Sequence, residues 1–116
     1  MGKSYFLERT QRERAALNEW ASGGETIYSQ SDFPQWVISK LAAGSRYSPD
    51  ETIKDMIEWV KRYHSQGKKQ FCTVDGKCYF QRSGYERIIR HVKERELMRP
   101  DDIKKWETEA FGGCGA

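Results

Sequence analysis

The sequence has little of what several specialised protein classes need. It contains three cysteines, an odd number that fits a reducing compartment better than a disulfide scaffold. No apolar run approaches the roughly 18 residues of a membrane-spanning helix, and the first residues lack the continuous apolar stretch of a secretory signal. We therefore expect a cytoplasmic protein with no membrane partner.

Patterns typical of enzymes and metal sites are also missing. The cysteines and the two histidines show none of the paired spacings, about two to four residues, that are typical of zinc sites. No Ser-His-Asp arrangement or phosphate loop can be assembled, and His64 and His91 are interpreted as capping or half-buried residues. We predict no enzyme activity, no catalytic residue, no metal, no cofactor and no small-molecule substrate.

Aromatic residues and chain length, by contrast, favour a folded domain. The 116 residues include five Phe, four Trp and six Tyr, too many for a disordered chain. A chain of this length supports one hydrophobic core. We predict a single globular domain over residues 1–110 and a flexible C-terminal tail over residues 111–116.

Capping and periodicity signals predict five helices. The first is expected over about Ser4 to Ala21, before Gly23-Gly24, with Phe6, Ala16, Leu17 and Trp20 on one side. The second lies in "SDFPQWVISKLAAG", capped by Ser31 or Asp32, and a short β-prone segment, "ETIYSQ", precedes it. A short last helix follows Pro100.

Two capping boxes mark the third and fourth helices. Ser48 and Glu51, with Pro49 at the first helical position, begin the third, and Ser83 and Glu86 begin the fourth. Apolar residues at helical spacing predict the buried rows of both helices. These are Ile53, Met56, Ile57, Val60 and Tyr63 in the third helix, and Tyr85, Ile88, Ile89 and Val92 in the fourth.

Between these helices, the stretch from Gln70 to Gln81 reads as a β-hairpin turning at Asp75-Gly76, with Phe71 and Phe80 buried on one face. A two-residue type I′ turn places Cys72 and Cys78 on opposite faces. A type I turn with Gly76 in a bulge places them opposite each other. The sequence permits both, and in either case we expect the two cysteines to be reduced and free of metal.

The predicted fold class is α+β and mostly helical, with about five helices and one hairpin. The order of helix, strand, helix, helix, hairpin and helix resembles that of winged helix-turn-helix domains, over about Ser4 to Arg82. The resemblance implies that the second helix of the pair enters the major groove of DNA and that the hairpin is the wing.

The distribution of charge indicates a different contact surface for nucleic acid than the second helix of the pair. From Asp50 to Glu58 the third helix carries four acidic residues and one lysine, a net −3 that phosphates would repel. From Lys61 to Arg95 there are ten cationic and three acidic residues, a net +7, with Tyr79 and Phe80 among them. The lysines beside the hairpin also have an explanation that needs no nucleic acid. Solvated charges of this kind keep an edge strand from pairing with other chains.

Two functions remain. The first is a small nucleic-acid-binding or regulatory protein that contacts the phosphate backbone through its basic hairpin and the following helix. Its predicted contact residues are Lys68, Lys69, Lys77, Arg82, Arg87 and Arg90. The alternative is a protein-binding module, an inhibitor or a small subunit of a complex, that binds through Glu58, Trp59 and Arg62.

Overall fold

The computed structural model describes residues 11–12, 14–20, 22–24, 26–64 and 70–112. Helix α1 is described at residues 11–12 and 14–20, so the beginning of the predicted first helix, with Ser4 and Phe6, lies outside the described residues. The predicted fold class, a mostly helical α+β fold with five helices, is confirmed. The remaining elements are β1 (Ile27–Ser29), a 3-10 turn (Gln30–Asp32), α2 (Gln35–Ala42), α3 (Pro49–His64), β2 (Phe71–Val74), β3 (Lys77–Gln81), α4 (Arg82–Glu94) and α5 (Pro100–Ala110).

The three strands form one antiparallel sheet in the order β1-β3-β2. Val74 pairs with Lys77, and Asp75 and Gly76 between them have φ values of 53° and 77°, as a type I′ turn requires. The first of the two turn alternatives is therefore correct. Because Thr73 faces Cys78, Cys72 lies on the opposite face from Cys78, and this register excludes a disulfide between the two.

One predicted capping box is confirmed in part and one is wrong. The N–H of Glu51 donates to Ser48 Oγ at 3.2 Å, directly before α3. Helix α4 instead begins at Arg82 with Gln81 as its N-cap, which places Ser83 inside the first turn. The reason is that β3 continues to Gln81, whose N–H donates to the carbonyl of Gln70, and the chain passes from strand to helix without a linker.

The predicted start of α2 is also wrong. Ser31 and Asp32 belong to the 3-10 turn, and Pro34 is the N-cap residue of the helix. The carboxylate of Asp32 accepts a hydrogen bond from the N–H of Ser29 at 2.7 Å. Its charge therefore stabilises the end of β1 rather than the beginning of α2.

An aromatic core joins the sheet to α4 and α5. Phe33 stacks on Tyr85 with ring centroids 5.2 Å apart and meets Phe80 and Trp106 edge-on. Trp106 is fully buried, and its Nε1–H donates to the hydroxyl of Tyr85 at 2.9 Å, which satisfies the only polar atom of the indole. Phe111, which we assigned to the tail, packs on Tyr85 at 5.3 Å, whereas residues 113–116 lie outside the described residues.

Helix α4 lies so close to the hairpin that only glycine fits at one position. A Cβ on Gly84 would lie 2.8 Å from the carbonyl oxygen of Gln70 and 3.0 Å from the Cβ of Phe80. This contact fixes the first turn of α4 against the sheet. The rest of the helix then presents its buried row, Tyr85, Ile88, Ile89 and Val92, to the core as predicted.

The buried row of α3 is shorter than predicted. Ile53, Ile57 and Val60 are buried and Met56 is half-buried, but the side chain of Tyr63 is 62% exposed. Tyr63 lies in the last turn, where its ring contacts Trp59 instead of the core. The exposed Tyr63 therefore forms a surface with Trp59 near the end of α3.

Candidate binding surfaces

The six cationic residues predicted to contact nucleic acid are divided by the fold. Lys68 and Lys69 lie outside the described residues. Arg87 and Arg90 line the same groove along α4, whereas Lys77 lines a different groove at the tip of the hairpin. Arg82 is exposed at the beginning of α4, where it pairs with Glu86 at 3.6 Å and lies over the ring of Phe111.

The α4 groove has a volume of about 440 Å³ and a cationic wall. Arg90 and Lys93 are both exposed, and neither makes a salt bridge with the described part of the chain. Gln70 also lines this groove and directly follows Lys68 and Lys69 in the sequence. The complete lining is Gln70, Ser83, Glu86, Arg87, Ile89, Arg90, Lys93 and Glu107.

Arg87 has a different role from its neighbours in this groove. Its side chain is only 16% exposed; Nη1 donates to Glu94 at 3.0 Å and Nη2 donates to His64 Nδ1 at 2.8 Å. Nε is buried without a partner among the described residues. Arg87 thus connects α4 to the end of α3, and these bonds use two of its five N–H donors.

Lys77 has an acidic neighbourhood. The groove at the hairpin tip, about 460 Å³, also includes Asp50 and Glu58 of α3, together with Lys54. The two carboxylates balance the charges of Lys54 and Lys77, so this groove has no net positive charge to attract a phosphate. Asp50 and Glu58 belong to the acidic stretch of α3 that the sequence indicated.

A second surface, the Trp59 cluster, consists of Trp59, Tyr63 and His64 of α3 with Arg87 and His91 of α4 and the following Arg95. The ring of Trp59 lies 4.8 Å from Tyr63, 5.2 Å from His64 and 4.9 Å from His91, measured between centroids. The guanidinium carbon of Arg95 lies 5.0 Å above the same indole ring. The cluster therefore combines stacking, cation–π contact and hydrogen bonding at the edge where the two helices meet.

A hydrogen bond from Arg87 orients the ring of His64 in this arrangement. Arginine can only donate, so His64 Nδ1 accepts from Arg87. His91 is 8% exposed, and burial is the main cause that lowers the pKa of its imidazole below the ordinary value of 6.5. The positive charges of Arg95 and Arg87 lower this pKa further, against the opposite effect of Glu94. These surroundings favour the neutral form of the His91 imidazole.

The three residues of the predicted protein-binding surface lie on neighbouring parts of α3 but not in one groove. Trp59 is 36% exposed and lines a shallow groove of about 470 Å³ with residues of α4. Glu58 lines the hairpin-tip groove, and Arg62 is exposed one turn later. We call the groove beside Trp59 the Trp59 groove; its lining is Asp55, Met56, Trp59, His91, Arg95 and Leu97.

Some of these residues were absent from the sequence predictions, although a signal for them exists. Arg87, His91 and Arg95 recur every four residues, which places them on one side of α4, as Trp59 and Tyr63 are placed on α3. That spacing predicts a stripe on each helix. It does not predict that the two stripes meet, because this depends on how α3 and α4 pack.

The described residues contain no group of three or more His, Cys, Asp or Glu side chains that could hold a metal ion. Burial raises the pKa of the Cys78 thiol to about 11, so this residue is a poor thiolate at neutral pH. None of the described helices is long and apolar enough to cross a membrane. No family model matches the sequence, and no match is found among curated proteins or among solved structures.

Proposed function

We propose that the protein binds nucleic acid through the α4 groove, by contacts to the phosphate backbone and without strong sequence preference. The single observation that carries the proposal is that Arg90 and Lys93 lie exposed and without salt bridges to described residues on the wall of one groove. Phosphate contacts are made by such cations, and they hold the protein on the duplex without reading bases.

The surrounding residues support the same choice of surface. In the sequence, Lys68 and Lys69 directly precede Gln70, which lines the groove, and Arg82 lies one helical turn before Glu86 of the same lining. The hairpin-tip groove has two carboxylates for its two lysines, whereas the α4 groove has three cations for its two carboxylates. This balance favours the α4 groove over the hairpin tip and α3, the surface that the winged-helix resemblance implied. The proposal therefore retains Lys68, Lys69, Arg82 and Arg90, adds Lys93, and gives Arg87 a positioning role and Lys77 no contact.

The test compares two double charge reversals with the same change in net charge. Arg90→Glu with Lys93→Glu alters the groove, and Arg99→Glu with Lys104→Glu alters two exposed cations outside it. With fluorescent single-stranded and duplex probes of unrelated sequence, we expect a wild-type Kd of about 10⁻⁴ to 10⁻⁶ M at physiological salt. The groove variant should bind all probes at least about tenfold more weakly, because two phosphate contacts are lost.

The matched variant separates local contacts from total charge. It should bind the same probes nearly as well as the wild type, since its reversals lie outside the groove. Equal losses in the two variants would show that net charge alone governs binding, and no binding by the wild type at low salt would refute the proposal. Circular dichroism of each variant confirms that the fold is retained.

A second function is favoured by a separate observation, the exposure of Trp59 and Tyr63 beside Arg95. Trp, Tyr and Arg are the residues most enriched at the energetic centres of protein interfaces. This is the protein-binding function that the sequence offered as the alternative. The surface involved is the Trp59 groove rather than the full set Glu58, Trp59 and Arg62.

A further inference from the structure

Large apolar side chains remain exposed at several positions, most of them in or beside the Trp59 groove. Among the described residues these are Tyr47, Trp59, Tyr63 and Leu97, with exposures of 64, 36, 62 and 48%. Trp59 and Leu97 line the Trp59 groove, and Tyr63 stacks on Trp59 beside it. Contiguous exposed apolar surface of this kind marks an interaction site rather than ordinary solvated surface.

The groove carries one exposed charge of each sign, contributed by α3 and by the residue that follows α4. Asp55 belongs to α3 and Arg95 follows α4, with Met56, Trp59 and Leu97 contributing the apolar area. Both charged residues are exposed. A groove with one charge of each sign has no excess of positive charge for a nucleic acid, and no excess of either sign for a strongly charged peptide.

This pattern is complementary to itself. A two-fold axis running along the groove places the α3 wall of one copy against the α4 wall of the other. Asp55 of each copy then faces Arg95 of its partner, and the apolar residues meet in the centre. Such isologous contacts, in which the same patch serves both subunits, are the usual way in which small proteins form dimers.

We infer that the Trp59 groove joins two copies of this chain in a symmetric dimer. The inference rests on the second candidate function, that the groove binds protein, and it is independent of nucleic-acid binding by the α4 groove. Two copies related in this way carry two α4 grooves, so a dimer would contact nucleic acid at two places and gain from the second contact being intramolecular.

The deciding experiment uses charge reversal in trans. In a homodimer of Asp55→Lys or of Arg95→Glu, both symmetry-related contacts bring like charges together. Each variant should therefore self-associate at least about tenfold more weakly than the wild type. When the two variants are mixed, both cross-pairs become attractive, Lys with Glu and Arg with Asp. The heterodimer should therefore form at least about tenfold more tightly than either homodimer.

The measurement is sedimentation of N-terminally labelled Asp55→Lys protein, detected by fluorescence, with increasing unlabelled Arg95→Glu protein. Lys104→Glu supplies the matched control, because it reverses an exposed cation of α5 outside the groove and should not give the same gain with Asp55→Lys. The variant Leu97→Glu should also lower wild-type self-association, since it places a charge in the apolar centre. Circular dichroism verifies folding of each chain.

The possible results separate the claims. A wild-type protein that stays monomeric at all accessible concentrations overturns the dimer, as does a dimer that none of the three groove variants weakens. A mixture that associates no better than its components overturns the two-fold arrangement, and therefore the inference. Nucleic-acid binding measured on the same samples shows independently whether the first proposed function holds.

Discussion

Cationic residues lie on two sides of helix α4, but they make different contacts on each side. On the side facing α3, Arg87, His91 and Arg95 are engaged with His64, Glu94 and the ring of Trp59. On the outer side, Arg90 and Lys93 are exposed and form no salt bridge with a described residue. Composition alone does not separate these groups, since cations occur on both sides of the same helix. What separates them is whether a neighbouring helix supplies an acceptor or an aromatic ring.

The comparison implies that Arg87 and His91, which are largely buried, stabilise the fold and that Arg90 and Lys93 are available for phosphates. Removal of a residue from the inner side should therefore lower the free energy of unfolding, whereas removal from the outer side should lower affinity with little change in stability.

Arg87→Met should have the largest effect on stability. Methionine keeps an apolar stem of similar length but cannot donate, so the bonds to His64 Nδ1 and Glu94 are both lost. Hydrogen bonds to charged groups contribute about 1.5–3 kcal/mol, and we expect a decrease in the free energy of unfolding in this range. Urea denaturation measures it. A free energy of unfolding equal to that of the wild type would show that burial of the Arg87 Nε–H, which has no partner among the described residues, costs as much as the two hydrogen bonds contribute.

Acidification should have a smaller effect, again on the inner side. The pKa of His91 in the folded protein lies below its ordinary value of 6.5, so the unfolded chain binds more protons at mildly acidic pH. The stability that this difference contributes is complete above pH 6.5 and is lost as the pH falls further. The groups that face His91 are Trp59 and His64 from α3, and Arg87, Glu94 and Arg95 from its own side.

Urea denaturation at a series of pH values between about 7.5 and 5 tests this prediction. The wild type should lose stability over this interval more steeply than His91→Gln, which cannot take up the proton. Parallel pH profiles for the two proteins would contradict the assignment to His91.

The smallest effect on stability is expected on the outer side. Arg90→Ala and Lys93→Ala remove exposed side chains without salt bridges to described residues, and each should change the free energy of unfolding by less than about 0.5 kcal/mol. Thermal and urea denaturation provide the measurement. A loss as large as that of Arg87→Met would show that the two sides of α4 do not differ as described.

The sequence predicted the elements of the fold better than the contacts between them. The Ser48-Pro49-Glu51 signal, the Asp75-Gly76 turn and the apolar row of α4 depend on neighbouring residues in the chain, and all three are present. The predicted start of α4 at Ser83 failed because the direct passage from β3 into the helix is imposed by packing on the sheet.

The candidate surfaces were less predictable for the same reason. A net charge of +7 between Lys61 and Arg95 is a property of the chain, but its division into three locations follows from the packing of α3, α4 and the hairpin. Tyr63 continues the apolar spacing of α3 and is nevertheless exposed, because the buried row ends one turn earlier. Only the tertiary structure shows that Tyr63 joins Trp59 at an open edge.

The central claim, that the outer side of α4 contacts phosphates, is tested most directly by the salt dependence of binding. The logarithm of the binding constant for a duplex probe is measured against the logarithm of salt concentration, for the wild type and for Arg90→Ala with Lys93→Ala. Each lost phosphate contact reduces the magnitude of the slope by about 0.9. We therefore expect the slope of the double variant to be smaller in magnitude by about two units. An unchanged slope, with the fold intact, would contradict it.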